Sequence, residues 1–377
     1  MRITILAADF PPSHGGIQAY VSSLAAAATQ QGADIRVIAL QQPQAQQWDA
    51  SAPYEVQRVQ AASKLQIWRR MRDAAIGGDS DVIIAGKWFP EGPAALQAAR
   101  ASDCPCVVMG YDREFALHGL NLVKWGMQKW VLGACDLCAV CSNYAADMME
   151  SMGVRRQKIH CISGGVDTDM FSPDPQGAQQ LRGMLALDNE PVCVSVARLV
   201  PHKGHRYVLE AVSAVRSEIP DLKYVIVGEG NYRDCLQQQV SALDLNESVI
   251  FTGRVDYDRL PAYYTVADVA VMPSYDIPGE PTEGFGLSYL EANACGTPVI
   301  GAMTGGVPEV IDHDISGLLV PQKDTEALTR ALLRLLGDRD YAQKLGQQGM
   351  ERVHREFTWD LVARRLVTAV KSLHTAP

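Results

Sequence analysis

Two glutamates seven residues apart mark the segment of this chain with the most evident chemistry, EGFGLSYLE, from Glu283 to Glu291. If a helix begins near Gly286, Glu283 lies in the loop before it and Glu291 about one and a half turns inside it. The free N–H groups at a helix N-terminus suit a phosphate group, and carboxylates accept hydrogen bonds from hydroxyls. A nucleotide-diphosphate sugar needs both kinds of contact, so the segment predicts a site for such a molecule.

Two cations, Arg198 and Lys203, follow an apolar strand pattern in VARLVPHKG. Open α/β sheets bind ligands at the carboxyl ends of their strands, where this loop would lie. Arginine offers a planar fork and lysine a point charge, and both suit a diphosphate. They would stabilise the negative charge that grows on a departing phosphate. Two ordinary surface cations are the alternative.

Three glycine-containing loops follow other strand patterns, and a plain turn is the alternative for each. Gly228 begins a Gly-Glu-Gly loop that permits close approach of a ligand to the backbone. Gly253 precedes Arg254 and Val255, which offer a cation and an apolar wall beside a base. Gly16 lies in the first loop, where backbone N–H groups could meet a phosphate.

Two motifs that resemble metal sites favour structural roles instead. Asp167-Thr168-Asp169 lies beside a Pro-rich stretch, which favours a turn. Cys135, Cys138 and Cys141 alternate with apolar residues, which favours a buried strand, because buried cysteine behaves as a small hydrophobe. We therefore expect no metal and no cofactor, with the nucleotide sugar as a substrate.

The elements that must position these residues alternate between strand and helix patterns over 377 residues. Val- and Ile-rich runs such as IRVIAL and KYVIV are typical of parallel strands buried on both faces. The fold class predicted is α/β, with two doubly wound Rossmann-like domains facing across a cleft. The N-terminal domain comprises residues 1–170 plus 358–377, the latter a returning amphipathic helix. The C-terminal domain comprises residues 186–357, after a Pro- and Gly-containing linker at 171–180.

Charge argues against a nucleic-acid partner, since the net charge is −9. Residues 1–169 carry 15 basic and 16 acidic side chains, and the remainder carries 34−15=19 against 43−16=27. The first half is therefore the less acidic and approaches an anionic surface more easily.

Cellular location is predicted from two absences and from the number of cysteines. No secretory signal is evident, no apolar run reaches the roughly 18 residues of a membrane span, and nine cysteines suggest reduced thiols. We expect a cytoplasmic protein. Basic residues interleave with Trp and Met in KLQIWRRMRDAA and KWGMQKW, which suits a peripheral contact with the inner face of the membrane. Helices that pack their apolar face into the core are the alternative.

In series, these motifs resemble the family-four retaining glycosyltransferases with the GT-B fold, over essentially the whole chain. FPPSHGGIQAYVSSLA resembles the opening loop and helix of that family, and CSNYAADMM with GGVDTDMF its domain-end signature. ARLVPHKG, VGEG, FTGRV, EGFGLSYLEANACGTPVI and GGVPEVI resemble its donor-binding half. The opening loop is most similar to that of mannosyltransferases that act on lipids.

The resemblance implies a role for each matching residue. Arg198 and Lys203 would bind the diphosphate, and Glu283 would touch sugar hydroxyls near the reacting carbon. Backbone N–H groups of the helix start would bind the diphosphate, Glu291 would accept from the ribose, and Arg254 and Val255 would lie beside the base. The donor-binding set implied is Gly16, Gly228, Gly253, Arg254, Val255, Phe285, Gly286, Leu287, Ser288 and Glu291.

One departure from the family pattern falls on the acceptor side. The family often has His-Gly-x-Asp/Glu after its fourth strand, whereas this chain has Met109, Gly110 and Asp112. Asp112 matches the pattern, and His118 would replace the missing histidine only after an alignment shift. The leaving phosphate can itself take the acceptor proton, so the loss of that histidine need not abolish transfer.

The activity implied is metal-independent, retaining hexose transfer from a nucleotide-diphosphate sugar to a lipid-linked or saccharide acceptor. GDP-mannose is favoured slightly over UDP-glucose or UDP-GlcNAc. A non-catalytic sugar-nucleotide-binding relative and a sugar-nucleotide epimerase of the same fold stay open as alternatives.

Overall fold

Continuous apolar segments form most strands of two parallel sheets. Helices cover both faces of such a sheet, so its strands need apolar side chains on both sides. The computed structural model describes residues 1–13, 15–111, 122–278 and 283–375. The chain divides into two units: unit 1 comprises Met1–Gly165 with Trp359–Pro377, and unit 2 comprises Val166–Thr358. Residues 166–170, assigned to the first domain from sequence, thus belong to unit 2.

Unit 1 contains a seven-stranded sheet in the order β3-β2-β1-β4-β5-β6-β7. Its strands are β1 (Arg2–Ala7), β2 (Asp34–Leu40), β3 (Glu55–Val59), β4 (Val82–Ala85), β5 (Cys106–Gly110), β6 (Leu137–Val140) and β7 (Ile159–Cys161). The strand order reverses between β1 and β4. Its helices are α1 (Gly16–Gln30), α2 (Ala45–Asp49), α3 (Lys64–Ala75), α4 (Glu91–Ala101), α5 (Leu122–Ala134), α6 (Asn143–Ser151) and α15 (Trp359–Thr375).

Unit 2 contains a six-stranded sheet in the order β10-β9-β8-β11-β12-β13, which reverses between β8 and β11. Its strands are β8 (Val192–Val196), β9 (Lys223–Val227), β10 (Val249–Gly253), β11 (Val269–Met272), β12 (Val299–Ala302) and β13 (Gly317–Val320). Its helices are α7 (Pro175–Met184), α8 (His205–Val215), α9 (Arg233–Ala242), α10 (Leu260–Thr265), α11 (Leu287–Ala294), α12 (Val307–Val310), α13 (Thr325–Gly337) and α14 (Arg339–Glu356). Leu209, Tyr224 and Leu332 are fully buried in its apolar core.

The prediction of a linker at residues 171–180 is wrong, because helix α7 covers much of it. Asp174 caps this helix by accepting a hydrogen bond from the N–H of Gly177 at 2.9 Å, and Pro175 opens its first turn. Ala178 and Leu181 are buried, and α7 packs against α10. An aspartate followed by proline is the local signal for this helix start.

The returning helix predicted at the C-terminal end of the chain is present as α15 and packs against α1 in unit 1. The ring of Tyr20 meets that of Trp359 edge to face, with centroids 5.4 Å apart. Within the described part of the chain, no helix combines the length and hydropathy that a membrane span requires.

Candidate active site

Lys203 and Glu283 come together at the point where the strand order of unit 2 reverses, beyond the carboxyl ends of β8 and β11. The loop after β8 and the segment after β11 are tied together by a hydrogen bond from the N–H of Tyr275 to the carbonyl of His202, at 2.9 Å. Gly204 makes this approach feasible, because its φ is +80° and a Cβ there would lie 2.1 Å from the Pro273 carbonyl oxygen. Any other residue would push the two loops apart.

Lys203 and Glu283 meet where these two loops join. The Lys203 ammonium forms an ion pair with Oε2 of Glu283, and the Ser274 hydroxyl donates to the same oxygen at 3.1 Å. The carbonyl of Glu283 also accepts from the N–H of Gly306 at 2.9 Å, which anchors the backbone of the segment. Burial alone would raise the pKa of Glu283, but the Lys203 charge and hydrogen bond lower it below its ordinary value. Glu283 is therefore ionised at neutral pH.

Arg198 lies in the same loop and is exposed. The Gly-Glu-Gly loop supports it from the neighbouring strand β9. A Cβ on Gly228 would lie 2.0 Å from the carbonyl oxygen of Ala197, and one on Gly230 would lie 2.1 Å from that of Leu199. These glycines thus permit close packing against the backbone on either side of Arg198. Direct contact between Gly228 and a nucleotide stays a prediction.

Helix α11 begins as its sequence predicts, with Gly286 at the N-cap and Leu287 as its first residue. Leu287 and Ser288 are half-buried, and Phe285 is buried with its ring centroid 6.0 Å from that of Phe357. The first N–H groups of a helix have no intrahelical partner and carry a partial positive charge. The start of α11 therefore offers anion-binding groups directly after Glu283.

Glu291 lies within α11 and is only 7% exposed. Its two carboxylate oxygens accept hydrogen bonds from the hydroxyls of Tyr257 and Tyr264, each at 2.9 Å. Burial raises the pKa of Glu291, although these two hydrogen bonds oppose the shift. The ribose-binding carboxylate predicted from sequence thus already has a partner on each oxygen.

Gly253 ends β10, and its carbonyl accepts from the N–H of Gly228 at 2.8 Å, so the loops after β9 and β10 are adjacent. The next two residues, Arg254 and Val255, are exposed and half-buried respectively. Their proximity to the β8 and β9 loops is consistent with the edge of one nucleotide site. A contact with a base stays a prediction.

Unit 1 presents its own candidates in and after β5 and after β1. Gly16 is exposed and opens helix α1 after β1. Met109 is 1% exposed within β5, and its sulfur accepts a hydrogen bond from the Tyr111 hydroxyl at 3.7 Å. Asp112 and His118 lie outside the described residues.

The two motifs that resemble metal sites make contacts that suit structural roles. The Asp167 carboxylate accepts from the N–H groups of Asp169 and Met170, each at 3.1 Å, which closes a turn. Cys135, Cys138 and Cys141 are buried in and around strand β6. Within the described ranges, no three His, Cys, Asp or Glu side chains are placed to hold a metal ion.

Comparison with known proteins identifies the family. The model of "Glycosyltransferase Family 4" matches residues 14–170, and that of "Glycosyl transferases group 1" matches residues 179–352. A relative from Mycobacterium tuberculosis, a GDP-mannose-dependent alpha-(1-6)-phosphatidylinositol monomannoside mannosyltransferase, is 31% identical, over 97% of this chain and 97% of its own. The chain is a family 4 glycosyltransferase.

Further comparisons agree with this assignment. A Mycolicibacterium smegmatis mannosyltransferase with the same description is 30% identical to this glycosyltransferase, over 95% of each chain. The crystal structure of Anabaena HepE in complex with UDP and glucose superposes with a TM-score of 0.84 at 19% identity, covering 98% of this chain and 99% of that one. This likeness establishes the GT-B fold of the glycosyltransferase.

Sequence reasoning missed three residues of the site in this glycosyltransferase. Ser274 follows β11 by two residues, and a hydroxyl at the carboxyl end of a buried strand is a usable signal for it. Tyr257 and Tyr264 hold Glu291, but no sequence pattern distinguishes these tyrosines from core residues.

Proposed function

We propose that this glycosyltransferase moves mannose from GDP-mannose to a lipid-linked acceptor, with retention of the anomeric configuration and without a metal ion. The observation that carries the proposal is the 31% identity, over nearly the whole chain, to a GDP-mannose-dependent enzyme that acts on a phosphatidylinositol mannoside. The geometry of unit 2 supports a nucleotide-sugar donor through the cations, carboxylates and helix start described above.

The diphosphate of the donor fits the positive groups at the reversal of the sheet in unit 2. Lys203, exposed Arg198 and the N–H groups at the start of α11 all come from neighbouring loops. Cations and helix N-termini stabilise the charge that develops on a leaving phosphate. Groups that the fold already holds in place do so without moving during the reaction. In this proposal they replace the divalent cation that other sugar transferases use.

Glu283 binds sugar hydroxyls close to the reacting carbon. Lys203 and Ser274 both contact its Oε2. Its ionised state, which the lowered pKa ensures, makes it an acceptor for sugar hydroxyls at neutral pH.

Transfer follows from the departure of the nucleoside diphosphate on the face of the sugar where the acceptor enters. The bond between C1 of mannose and the phosphate oxygen breaks, and a bond from the acceptor oxygen to C1 forms on the same face. The acceptor proton passes to the departing phosphate. No histidine is needed for that proton, which is compatible with the thioether of Met109 in β5.

Helix α5 supports a lipid surface as the source of the acceptor. Leu122 and Val123 are 80% and 77% exposed, and Trp125 and Trp130 are 42% and 40% exposed. The ammonium of Lys129 lies 4.0 Å from the centre of the Trp125 ring. Apolar side chains with flanking lysines are typical of a helix that lies at a membrane interface.

Both helices predicted to contact the membrane bury some apolar residues, which in α5 are Val131 and Leu132, but α3 differs from α5 in its tryptophan. Met71 and Ala75 of α3 are buried, and the Trp68 ring N–H donates to Gln97 of α4 at 3.2 Å. This packing favours a core-facing role for the apolar side of α3. We therefore assign the membrane contact to α5.

The donor assignment is tested by thermal denaturation with GDP, UDP, ADP and the corresponding sugar nucleotides. A ligand that binds only the folded state raises the melting temperature. We expect GDP and GDP-mannose to raise it most. A larger shift with uridine nucleotides would contradict the choice of donor, and no shift with any nucleotide would contradict the function.

Transfer itself is tested with labelled GDP-mannose and phosphatidylinositol monomannoside in vesicles, with and without EDTA. We expect a mannosylated lipid whose new linkage is α by NMR, at the same rate in EDTA. A β linkage would overturn retention, and inactivation by EDTA would overturn metal independence. Release of free mannose without a mannosylated lipid would contradict the assignment of a lipid-linked acceptor.

A further inference from the structure

Tyr257 covers the carboxylate that the proposed function assigns to the donor ribose. Its hydroxyl donates to Oε1 of Glu291 at 2.9 Å, while the residue as a whole is 48% exposed. Tyr264, which donates to the other oxygen, is by contrast fully buried. Of the two partners of Glu291, Tyr257 is therefore the one at the surface.

The position of the Tyr257 ring is set by Phe171, a fully buried residue. The two ring centroids are 5.0 Å apart and the ring planes meet at 69°, an edge-to-face contact. Tyr257 also lies two residues after Val255, beside which the base is proposed to bind. Tyr257 thus links the segment of the proposed base contact to the carboxylate of the proposed ribose contact.

The hydroxyl of Tyr257 is a donor and not an anion at any ordinary pH. Burial and then the charge of Glu291 raise the pKa of Tyr257 above its usual value. A ribose hydroxyl would bring the same kind of O–H donor to the same oxygen. Little of Glu291 is left for a third partner, because the residue is 7% exposed.

We infer that the Tyr257 hydroxyl occupies the position of a ribose hydroxyl on Glu291 and that the donor displaces it on binding. The inference rests on the proposed role of Glu291 as the ribose acceptor. Tyr257 is then a competitor that weakens nucleotide binding, whereas Tyr264 orients the carboxylate and strengthens it. The two tyrosines have opposite effects although they make the same kind of hydrogen bond.

Calorimetric titration of GDP into wild type and Tyr257→Phe tests this inference. The phenylalanine keeps the ring contact with Phe171 but removes the competing hydroxyl. Because one competing hydrogen bond is lost, we expect GDP to bind Tyr257→Phe about three- to tenfold more tightly than wild type. Tyr264→Phe should bind GDP more weakly than wild type. Equal or weaker binding by Tyr257→Phe would overturn the inference.

A second probe, 2′,3′-dideoxy-GDP, has no ribose hydroxyl to place on Glu291. It need not displace Tyr257, so its affinity should be the same for wild type and Tyr257→Phe. An equal gain for GDP and the dideoxy nucleotide would show that Tyr257 does not compete with the ribose. If neither GDP nor UDP bound to wild type, the proposed function itself would fail. If GDP bound wild type but Tyr257→Phe did not bind it more tightly, only the inference about Tyr257 would fail.

Tyr341→Phe is a matched control. The Tyr341 hydroxyl also donates to a carboxylate, that of Asp314, at 2.5 Å, but this pair lies on α14 and the segment after α12. Its removal should leave GDP affinity unchanged. Melting curves add an independent readout. Tyr257→Phe should lower the melting temperature of the free protein but not of the GDP-saturated protein, whereas a purely structural tyrosine would lower both.

Discussion

The ammonium group of Lys203 contacts the carboxylate of Glu283 although 80 residues separate them in the chain. The side chains are 17% and 16% exposed, so the pair is largely shielded from water. In the ligand-free protein, the cation assigned to the diphosphate is therefore held by the carboxylate assigned to the sugar. The pair keeps both side chains in defined positions before the donor arrives.

Lys203→Met should abolish most transfer. Loss of one group that stabilises developing negative charge typically lowers kcat by about 10²–10³-fold. The variant should also unfold more easily, by about 1–3 kcal/mol, because Glu283 loses its charged partner in a shielded site. Rates with GDP-mannose and urea denaturation measure the two effects.

The double variant Lys203→Met/Glu283→Gln separates these effects. It should recover most of the lost stability, since no lone charge remains, but no activity. Lys344→Met, at an exposed lysine of α14, is the control and should match wild type in both assays. Wild-type turnover in Lys203→Met would contradict the assignment of Lys203 to the leaving group.

Glu91→Gln should change how stability depends on pH. Glu91 is 1% exposed at the first position of α4, and its Oε1 accepts from the N–H of Ala8 at 2.9 Å. Its other oxygen is buried without a hydrogen-bond partner among the described residues. Burial raises its pKa from 4.5 to about 7.

The folded state therefore binds more protons than the unfolded state between these two pKa values, so the contribution of Glu91 to stability falls as the pH rises through that window. Glutamine keeps the acceptor for Ala8 but cannot ionise. The free energy of unfolding of Glu91→Gln, measured relative to that of wild type, should be about 2–3 kcal/mol higher at pH 8 than at pH 5. Urea denaturation at the two pH values measures this difference, with exposed Glu150→Gln as the control. Parallel pH profiles for wild type and Glu91→Gln would refute the prediction.

Gly204→Ala should disturb the site through the backbone. The left-handed conformation and the close approach to the Pro273 carbonyl oxygen leave no room for a Cβ. We expect a cost of at least about 1–3 kcal/mol and a loss of transfer, since Lys203 is the preceding residue. Gly183→Ala in α7 is the control, because a Cβ there meets nothing within 4 Å. That substitution should stabilise the helix by about 0.5–1 kcal/mol. Equal stability of the two variants would count against this account.

Leu122→Ser/Val123→Ser should weaken attachment to anionic vesicles. Two strongly exposed apolar side chains of α5 are removed, and burial of such side chains in lipid is favourable in proportion to their area. We expect about tenfold or more loss in vesicle partitioning by co-sedimentation. GDP affinity should not change. Met184→Ser/Ile315→Ser, at exposed apolar residues of unit 2, should sediment like wild type, and unchanged partitioning of the α5 variant would disprove the assignment.

All six strands of unit 2 could be predicted from sequence, because strands buried on both faces are continuous apolar runs. Strand β3 of unit 1 was not predicted. It is an edge strand, EVQRV, whose residues are exposed or half-buried, so its composition is mixed and no apolar run marks it. Helix α7 was missed because the Pro and Gly that suggested a linker lie in its first turn.

The positions of Lys203 after a strand and of Glu283 before a helix could likewise be predicted, but their contact could not. It depends on β8 lying next to β11, and the order of strands in a sheet is not written in any local pattern. The contacts of Tyr257 and Tyr264 with Glu291 could not be predicted for a similar reason. Residues 257, 264 and 291 lie on three different elements, and only packing brings them together.

The packing of α15 on α1 has a consequence for synthesis on the ribosome. Helix α1 precedes unit 2 in the chain and α15 follows it, so every residue of unit 2 leaves the ribosome between them. Domains generally fold as units during translation, N-terminal first. In this chain, unit 2 can complete its fold before unit 1 does. All residues of unit 2 are available while Tyr20 of α1 still lacks its contact with Trp359. The face of α1 that includes Tyr20 therefore stays without its partner helix on the ribosome until all of unit 2 has been synthesised.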